Sequence, residues 1–99
     1  MYKITATKRG KKDAVKIQRS NFKSKVDEII RTIEDDPYNP TQGFEKMTAE
    51  LRGAYSREIN RQHRFVYTIE PNTENLCDDT GTPYEGFVKI ISMWTHYEM

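Results

Sequence analysis

The sequence contains very little cysteine and no long apolar run. Cys77 is the only cysteine among the 99 residues, so no disulfide can form within the chain, which is typical of a reducing cytoplasm. No apolar stretch approaches the ~20 residues that a membrane helix requires. The first four residues lack the apolar region of a secretory signal. We therefore expect a cytoplasmic protein that does not contact a membrane.

Metal-binding patterns are also missing from the sequence. The two histidines and the single cysteine do not follow the spacing of a Cys/His metal site, and the carboxylates form no two-metal cluster. We expect no metal and no other cofactor. Any catalysis by this chain should therefore depend on its own side chains.

Size and composition limit the architecture. Ninety-nine residues suffice for one domain with a modest core, so we assign residues 1–99 to a single domain. The hydrophobic fraction of 35% is low and the charged fraction of 31% is high. Even so, Ile, Val, Phe and Tyr recur at periodic positions, which indicates a folded rather than a disordered chain.

Charge is segregated along the chain. Residues 1–31 hold ten Lys or Arg against three Asp or Glu, whereas residues 32–99 hold six against twelve. The basic part could be no more than a solvated helix surface. A segregated positive charge is also the pattern expected of a surface that binds a polyanion.

The N-terminal third predicts one strand and two helices. Residues 2–7 alternate between apolar and polar side chains, the pattern of a half-buried strand, and residues 8–18 predict a short helix that Gly10 weakens. Ser20 and Asn21 are acceptable N-caps for a second helix, which Pro37 should end. The apolar stripe of this helix consists of Phe22, Val26, Ile29, Ile30 and Ile33.

The remainder predicts four strands. They cover residues 44–49, 54–59, 63–70 and 87–97, with turns at 51–53 and 60–62. The last strand is apolar on both faces, so we expect it to be central. The polar segment 71–86 is interpreted as a mobile hairpin extension that carries no chemistry. This order predicts an α+β domain: an antiparallel β-meander sheet with two N-terminal helices packed on one face.

The meander should bring three distant groups to one edge of the sheet. Sequential strands run in opposite directions, so the starts of the first and third meander strands lie beside the ends of the second and fourth. Glu45 and Arg64 are near two such starts, and His96 is near the last end. A carboxylate can deprotonate an RNA 2′-OH, an imidazole can protonate the departing 5′-oxygen, and a guanidinium can stabilise the phosphate. The residues alone leave open whether they are catalytic or structural.

The motif around these residues resembles the Txe/YoeB family of toxins in the RelE superfamily. The similarity is close over 43–70 and 87–97, and in the N-terminal third it extends only to the strand–helix–helix layout. It is carried by Leu51, Gly53, Tyr55, Ser56, Arg57, Ile59, His63, Arg64, Val66, Tyr67, His96 and Tyr97. The resemblance implies a RelE-like microbial RNase fold and a ribosome-dependent mRNA endonuclease that cuts in the A site and inhibits translation.

The resemblance also implies residue roles. Glu45 matches the family's general base, Arg64 its phosphate-stabilising arginine, His96 its general acid and Tyr97 its substrate-orienting tyrosine. Further RNA-binding candidates are Arg57, Arg61, Tyr55, Lys46 and Arg52. Among them, we expect Arg57 to contact phosphate rather than lie in the core. We expect Tyr55 either to stack on a base or to pack. His63 is interpreted as structural.

The basic N-terminal third, which is not part of the proposed site, is expected to dock on ribosomal RNA while the sheet edge faces the message. Phosphate contacts position a protein without reading sequence, and this suits lysines and arginines on a helix. The candidates are Lys8, Arg9, Lys11, Lys12, Lys16 and Arg19.

The implied partners are the ribosome with its mRNA and a cognate antitoxin of the YefM/Axe type. Operator DNA would be bound only by the toxin–antitoxin complex, and a homodimer stays open. The chain departs from some members at Thr48 and Glu58, where they have basic residues, and at Glu98 and Met99, which extend past the His-Tyr end. Two alternatives remain: a same-fold toxin of the ParE type that inhibits gyrase, and a non-catalytic nucleic-acid-binding module.

Overall fold

The computed structural model describes residues 1–94, and its elements follow the predicted order. Strand β1 (Tyr2–Ala6) leads into helices α1 (Lys8–Gln18) and α2 (Lys23–Asp35). A short 3₁₀ turn (Ala49–Leu51) separates the first two of the four strands that follow, which are β2 (Glu45–Lys46), β3 (Ala54–Glu58), β4 (Arg64–Pro71) and β5 (Gly86–Ser92). The predicted α+β class is confirmed, and α1 has the predicted bounds.

The sheet has the order β1-β5-β4-β3-β2. Strands β2 to β5 form the predicted antiparallel meander. Strand β1 lies parallel to β5, in register from Tyr2 opposite Gly86 to Ala6 opposite Ile90. Parallel neighbours end at the same end of a sheet, so α1 begins where β5 ends.

Two strands are shorter than predicted. The strand expected over 44–49 is paired only at Glu45 and Lys46, because the chain turns away into the 3₁₀ turn. The strand expected over 87–97 ends at Ser92. Residues 95–99, which include His96 and Tyr97, lie outside the described part of the chain.

Helix α1 is seated directly on the end of β5. Its N-cap is Thr7, whose hydroxyl oxygen accepts a hydrogen bond from the Gly10 amide at 3.0 Å. The Thr7 amide donates to the Ile90 carbonyl at 2.9 Å, which ties the helix start to β5. A Cβ at Gly10 would lie 2.6 Å from that same carbonyl oxygen. The glycine that weakens the helix therefore permits this close packing.

Helix α2 covers one face of the sheet with its apolar stripe. Val26, Ile29 and Ile33 are buried against Phe65 and Val88 among other sheet residues, as the stripe predicts. The expected capping by Ser20 or Asn21 is wrong: α2 begins after Phe22, which provides no side-chain cap. Ser20 instead accepts the Phe22 amide at 3.1 Å in the turn between the helices. Neither helix is long and apolar enough to cross a membrane.

The segment between β4 and β5 is internally hydrogen-bonded. The Asp78 carboxylate accepts the Thr80 hydroxyl at 2.6 Å and the Thr80 and Thr82 amides at 2.8 and 3.0 Å. Cys77 pairs with Pro83 in an isolated bridge, and the Asn72 side chain donates to the carbonyls of Leu76 and Tyr84. The expected mobile extension is therefore organised by polar side chains with little core of its own.

Candidate functional site

Glu45 and Arg64 meet on the sheet face opposite the helices. Glu45 pairs with Ser56 across β2 and β3, and Arg64 pairs with Glu58 across β3 and β4. Because alternate residues of a strand share a face, this register puts Glu45, Ser56 and Arg64 on one face. The Arg64 Nη2 atom lies 3.7 Å from a Glu45 carboxylate oxygen. The two residues come from strands that are not neighbours in the sheet.

Arg64 is held in place by further polar contacts. Its Nε donates to the Ser56 hydroxyl at 2.9 Å, and its Nη2 donates to the Gly43 carbonyl at 2.6 Å. The Arg64 side chain is 21% exposed, and the Glu45 side chain is 52% exposed. A guanidinium fixed in this way on an accessible face can bind a phosphate oxygen with little further ordering.

The carbonyl that Arg64 binds depends on a glycine. Gly43 has φ +66°, which side chains with a Cβ rarely adopt. A Cβ there would also approach the Glu58 Cβ to 3.0 Å. Gly43 lies two residues before Glu45, and its backbone conformation directs its carbonyl towards Arg64. The bond to this carbonyl therefore fixes Arg64 relative to Glu45.

Arg57 lies in the core on the opposite face, so the expected phosphate contact is wrong. It pairs with Phe65 in the sheet and is 0% exposed. Its guanidinium donates to the Tyr67 hydroxyl at 3.1 Å and to the carbonyls of Pro37 and Thr41 at 3.1 and 2.9 Å. The Phe44 ring lies 5.0 Å from its guanidinium carbon. A side chain that binds so many internal acceptors cannot reach RNA.

Loop 37–44, which precedes Glu45, is held from both faces of the sheet. Arg57 binds its carbonyls from the helix face, and Arg64 binds the Gly43 carbonyl from the open face. The Glu58 amide also donates to the Gln42 carbonyl at 2.8 Å. Arg57 therefore helps to position Glu45 from within the core. The signal that could have identified it is its strand position between Tyr55 and Ile59, which alternate into the core.

Tyr67 completes the buried network around Arg57. Its hydroxyl donates to the Pro37 carbonyl at 2.7 Å while it accepts the Arg57 Nε proton. Burial raises the pKa of Tyr67 above its ordinary value of 10.0, and the charge and hydrogen bond of Arg57 oppose that rise. The phenol therefore stays protonated and keeps donating to Pro37.

The other aromatic residues of the motif pack against each other. The Tyr55 ring stacks on Phe44 with centroids 5.6 Å apart and meets Tyr38 edge-on at 5.7 Å, so of its two expected roles the structure supports packing. His63 stacks on Trp94 with centroids 4.4 Å apart. It also meets Phe22 edge-on at 5.7 Å, and these contacts support its structural interpretation.

Asp13 is a buried carboxylate that sequence reasoning missed. It lies on α1 at 4% exposure, and its Oδ2 accepts the amides of Met93 and Trp94 at 3.0 and 3.2 Å. Arg9 Nε lies 3.7 Å from the same oxygen. Asp13 therefore fixes the end of β5 to α1, directly before the residues that lead to His96.

The remaining predicted residues are solvent-exposed. Lys46, Arg52 and Arg61 are exposed, and Lys46 points away from the face that bears Glu45 because it is the next residue of β2. All six basic candidates of the N-terminal third are exposed too. Within residues 1–94, no group of three or more His, Cys, Asp or Glu could hold a metal ion.

The basic helix α1 begins at the same end of the sheet as Arg64. Since β1 lies parallel beside β5, the first residues of α1 lie at the end of the sheet where β4 begins with Arg64. The four strands of the predicted meander are joined at the β5 edge by β1, the strand that precedes the helices.

Known proteins share both the sequence pattern and this architecture. Residues 8–97 match the family described as YoeB-like toxin of bacterial type II toxin–antitoxin systems. A curated relative, Toxin YoeB from Synechocystis sp., is 35% identical over 69 residues, which span 68% of this chain and 80% of that protein.

Solved structures give the same picture. The YoeB/ParE toxin from Agrobacterium tumefaciens superposes with a TM-score of 0.77 at 23% identity, over 96% of this chain and 99% of that one. Staphylococcus aureus YoeB has been solved with YefM, at 29% identity and a TM-score of 0.69 over 98% of this chain and 99% of that chain. It has also been solved as a dimer, at 27% identity and a TM-score of 0.69 over 99% and 98%.

Proposed function

This chain belongs to the family of YoeB-like toxins of bacterial type II toxin–antitoxin systems, and we propose that it is a metal-independent endoribonuclease that cuts mRNA in the ribosomal A site. The observation that carries the proposal is the Glu45–Arg64 pair on the open face of the sheet. Its geometry suits a reaction in which a proton leaves a hydroxyl group while negative charge accumulates on a phosphate.

In the proposed reaction the nucleophile belongs to the RNA itself. The Glu45 carboxylate accepts the proton of a 2′-OH, and the 2′-oxygen attacks the adjacent phosphorus. The P–O5′ bond breaks, and the leaving 5′-oxygen takes a proton from His96. The products are a 2′,3′-cyclic phosphate and a 5′-hydroxyl. Because the 2′-OH is part of the substrate, the step needs no activated water.

Arg64 stabilises the phosphate while the new bond forms. Its bonds to Ser56 and Gly43 hold the guanidinium before substrate arrives, so little reorganisation is needed during the reaction. The ion pair with Glu45 also keeps the base beside the phosphate site. Tyr97 orients the substrate in this proposal. The hydrogen bonds from the Met93 and Trp94 amides to Asp13 support a position of the following residues, including His96, near Arg64.

The partners proposed for this toxin follow from its relatives. The complex of Staphylococcus aureus YoeB with YefM supports a YefM-like antitoxin here, and the dimer of the same relative supports a homodimer. We further propose that the toxin acts on cytoplasmic ribosomes and binds operator DNA only together with its antitoxin. Exposed Arg52 and Arg61 are proposed contacts to RNA around the site, and exposed Lys11 and Arg19 are proposed contacts to ribosomal RNA.

The proposal is tested by translating a labelled message in vitro and mapping the ends of the cut RNA. The wild type should cut ribosome-bound message, whereas Glu45→Gln, Arg64→Ala and His96→Gln should each lower the rate by ~10²–10⁴-fold. Glu28→Gln and Arg31→Ala, at exposed positions of α2, are matched controls that should cut like wild type.

Two results would contradict the proposed chemistry. A 5′-phosphate on the product would exclude attack by the 2′-OH, and loss of cutting in EDTA with ribosome integrity controlled for would exclude a metal-independent reaction. An intact message together with inhibition of DNA gyrase would instead favour the ParE-type alternative.

A further inference from the structure

Four cations of α1 line a groove together with Trp94. The groove has a volume of about 490 Å³, and its cations are Lys8, Arg9, Lys12 and Lys16. Lys8, Lys12 and Lys16 recur every four residues and therefore share one side of the helix. All four side chains are exposed, so they are available to a ligand.

One carboxylate also lines this groove, but its charge is already engaged. Asp13 Oδ2 accepts the amides of Met93 and Trp94 and lies 3.7 Å from Arg9 Nε. Four cations against one bound carboxylate leave the groove strongly positive. This is the electrostatic character of a site for an anionic chain.

The groove opens at the same end of the sheet as the Glu45–Arg64 pair. The Thr7 amide binds the Ile90 carbonyl, so α1 starts beside the end of β5, and β5 pairs with β4 at Val66 opposite Ser92. Neighbouring strands are ~4.8 Å apart, so β1 and β4 lie about 10 Å apart across the sheet, with Ala6 level with Tyr67, three residues along β4 from Arg64. Arg64 is on the open face of the sheet and the groove is beside α1, so an RNA strand that leaves Arg64 would pass over this end of the sheet and reach the groove within a few nucleotides.

We propose that this groove binds the RNA strand being cut, on one side of the scissile phosphate, as an extended single strand. The inference rests on the proposed function and refines it, since it assigns the cations of the groove to the substrate instead of to ribosomal RNA. Proteins that bind single strands combine a positive groove along the backbone with an aromatic wall. Trp94 supplies such a wall and is held by its stack on His63.

Binding to a non-cleavable strand is the first test. A short 2′-O-methyl RNA lacks the nucleophile, and its affinity is measured by fluorescence anisotropy across salt concentrations. Lys12→Gln/Lys16→Gln should bind it more weakly, and the slope of log K against log salt should become less steep by about 0.7 for each phosphate that the protein no longer neutralises. Lys23→Gln/Arg31→Gln removes the same charge from exposed positions of α2 and should bind like wild type.

Cross-linking on the ribosome identifies the source of the strand. A photoreactive amino acid at position 12 is combined with Glu45→Gln, and the protein is bound to ribosomes that carry a labelled message. Cross-links to the message support the proposal. Cross-links to ribosomal RNA would overturn it, as would equal oligonucleotide binding by both double variants. If wild type leaves ribosome-bound message uncut, the proposed function itself fails, whichever RNA is cross-linked.

Discussion

Arg57 and Arg64 lie on adjacent paired strands, yet their guanidinium groups are on opposite faces of the sheet. Arg57 is opposite Phe65, one residue from Arg64, and Arg64 is opposite Glu58, one residue from Arg57. One side chain is fully buried and binds backbone carbonyls, and the other is partly exposed beside Glu45. The same loop, 37–44, is bound by both.

The two arginines should therefore differ in what their loss does. Arg57→Met leaves several buried acceptors unpaired and should lower the free energy of unfolding by about 3 kcal/mol or more. Arg64→Ala should cost ~1 kcal/mol or less, because its ion pair is near the surface, while abolishing cutting. Urea unfolding followed by circular dichroism measures both, with exposed Arg61→Met as the control for Arg57. Wild-type stability in Arg57→Met would refute the role of the buried network.

Asp13 should act through the end of β5. Asp13→Ala removes the acceptor of the Met93 and Trp94 amides and should lower the free energy of unfolding by about 1–3 kcal/mol. A misplaced chain end should also reduce kcat by ~10²-fold, with a smaller effect on KM. Asp13→Asn keeps an acceptor oxygen and should restore most of both properties. Single-turnover cleavage at saturating enzyme measures the rate, and an unchanged rate in Asp13→Ala would leave Asp13 only a stabilising role.

Alkaline pH should destabilise the fold through Tyr67. Its folded pKa is raised above 10.0 by burial, so the folded state holds the phenol proton more tightly than the unfolded state does. The contribution of the Tyr67 phenol to the free energy of unfolding is fully present below its unfolded pKa. It is lost as pH rises from there through the folded pKa. Urea midpoints measured from neutral pH to beyond about pH 10 should fall in the wild type. They should fall less in Tyr67→Phe, and parallel curves would contradict this assignment.

The turn at Asp78 should stabilise segment 76–84 without affecting mRNA cutting. The Thr80 hydroxyl and the Thr82 and Thr80 amides, which donate to its carboxylate, lower the pKa of Asp78 below 3.8. The stabilisation of the turn by the Asp78 carboxylate is therefore present above its unfolded pKa. It is lost as pH falls through its folded pKa. Asp78→Ala should speed amide hydrogen exchange within 76–84 and leave mRNA cutting unchanged. Slower cutting would show that the segment takes part in the reaction.

Much of the architecture follows from local patterns in the sequence. The stripe at Val26, Ile29 and Ile33 specifies which face of α2 is buried. The alternating pattern of later segments predicts the strands to which Glu45 and Arg64 belong. Opposite directions of successive strands are enough to bring those two residues to one end of the sheet. The motif around Arg64 also identifies the family before any distance is known.

The tertiary structure decided what local pattern cannot specify. Alternation along β3 puts Arg57 on the same face as Tyr55, but its buried acceptors on Pro37 and Thr41 lie 20 and 16 positions away in the sequence. Asp13 lies eighty positions from Met93 in sequence, so nothing near it reveals the amides it accepts. The parallel pairing of β1 with β5 joins the first strand to the last and places the start of the basic helix at the end of the sheet that bears Glu45 and Arg64. Each of these depends on contacts between distant residues, which periodicity within a single segment does not encode.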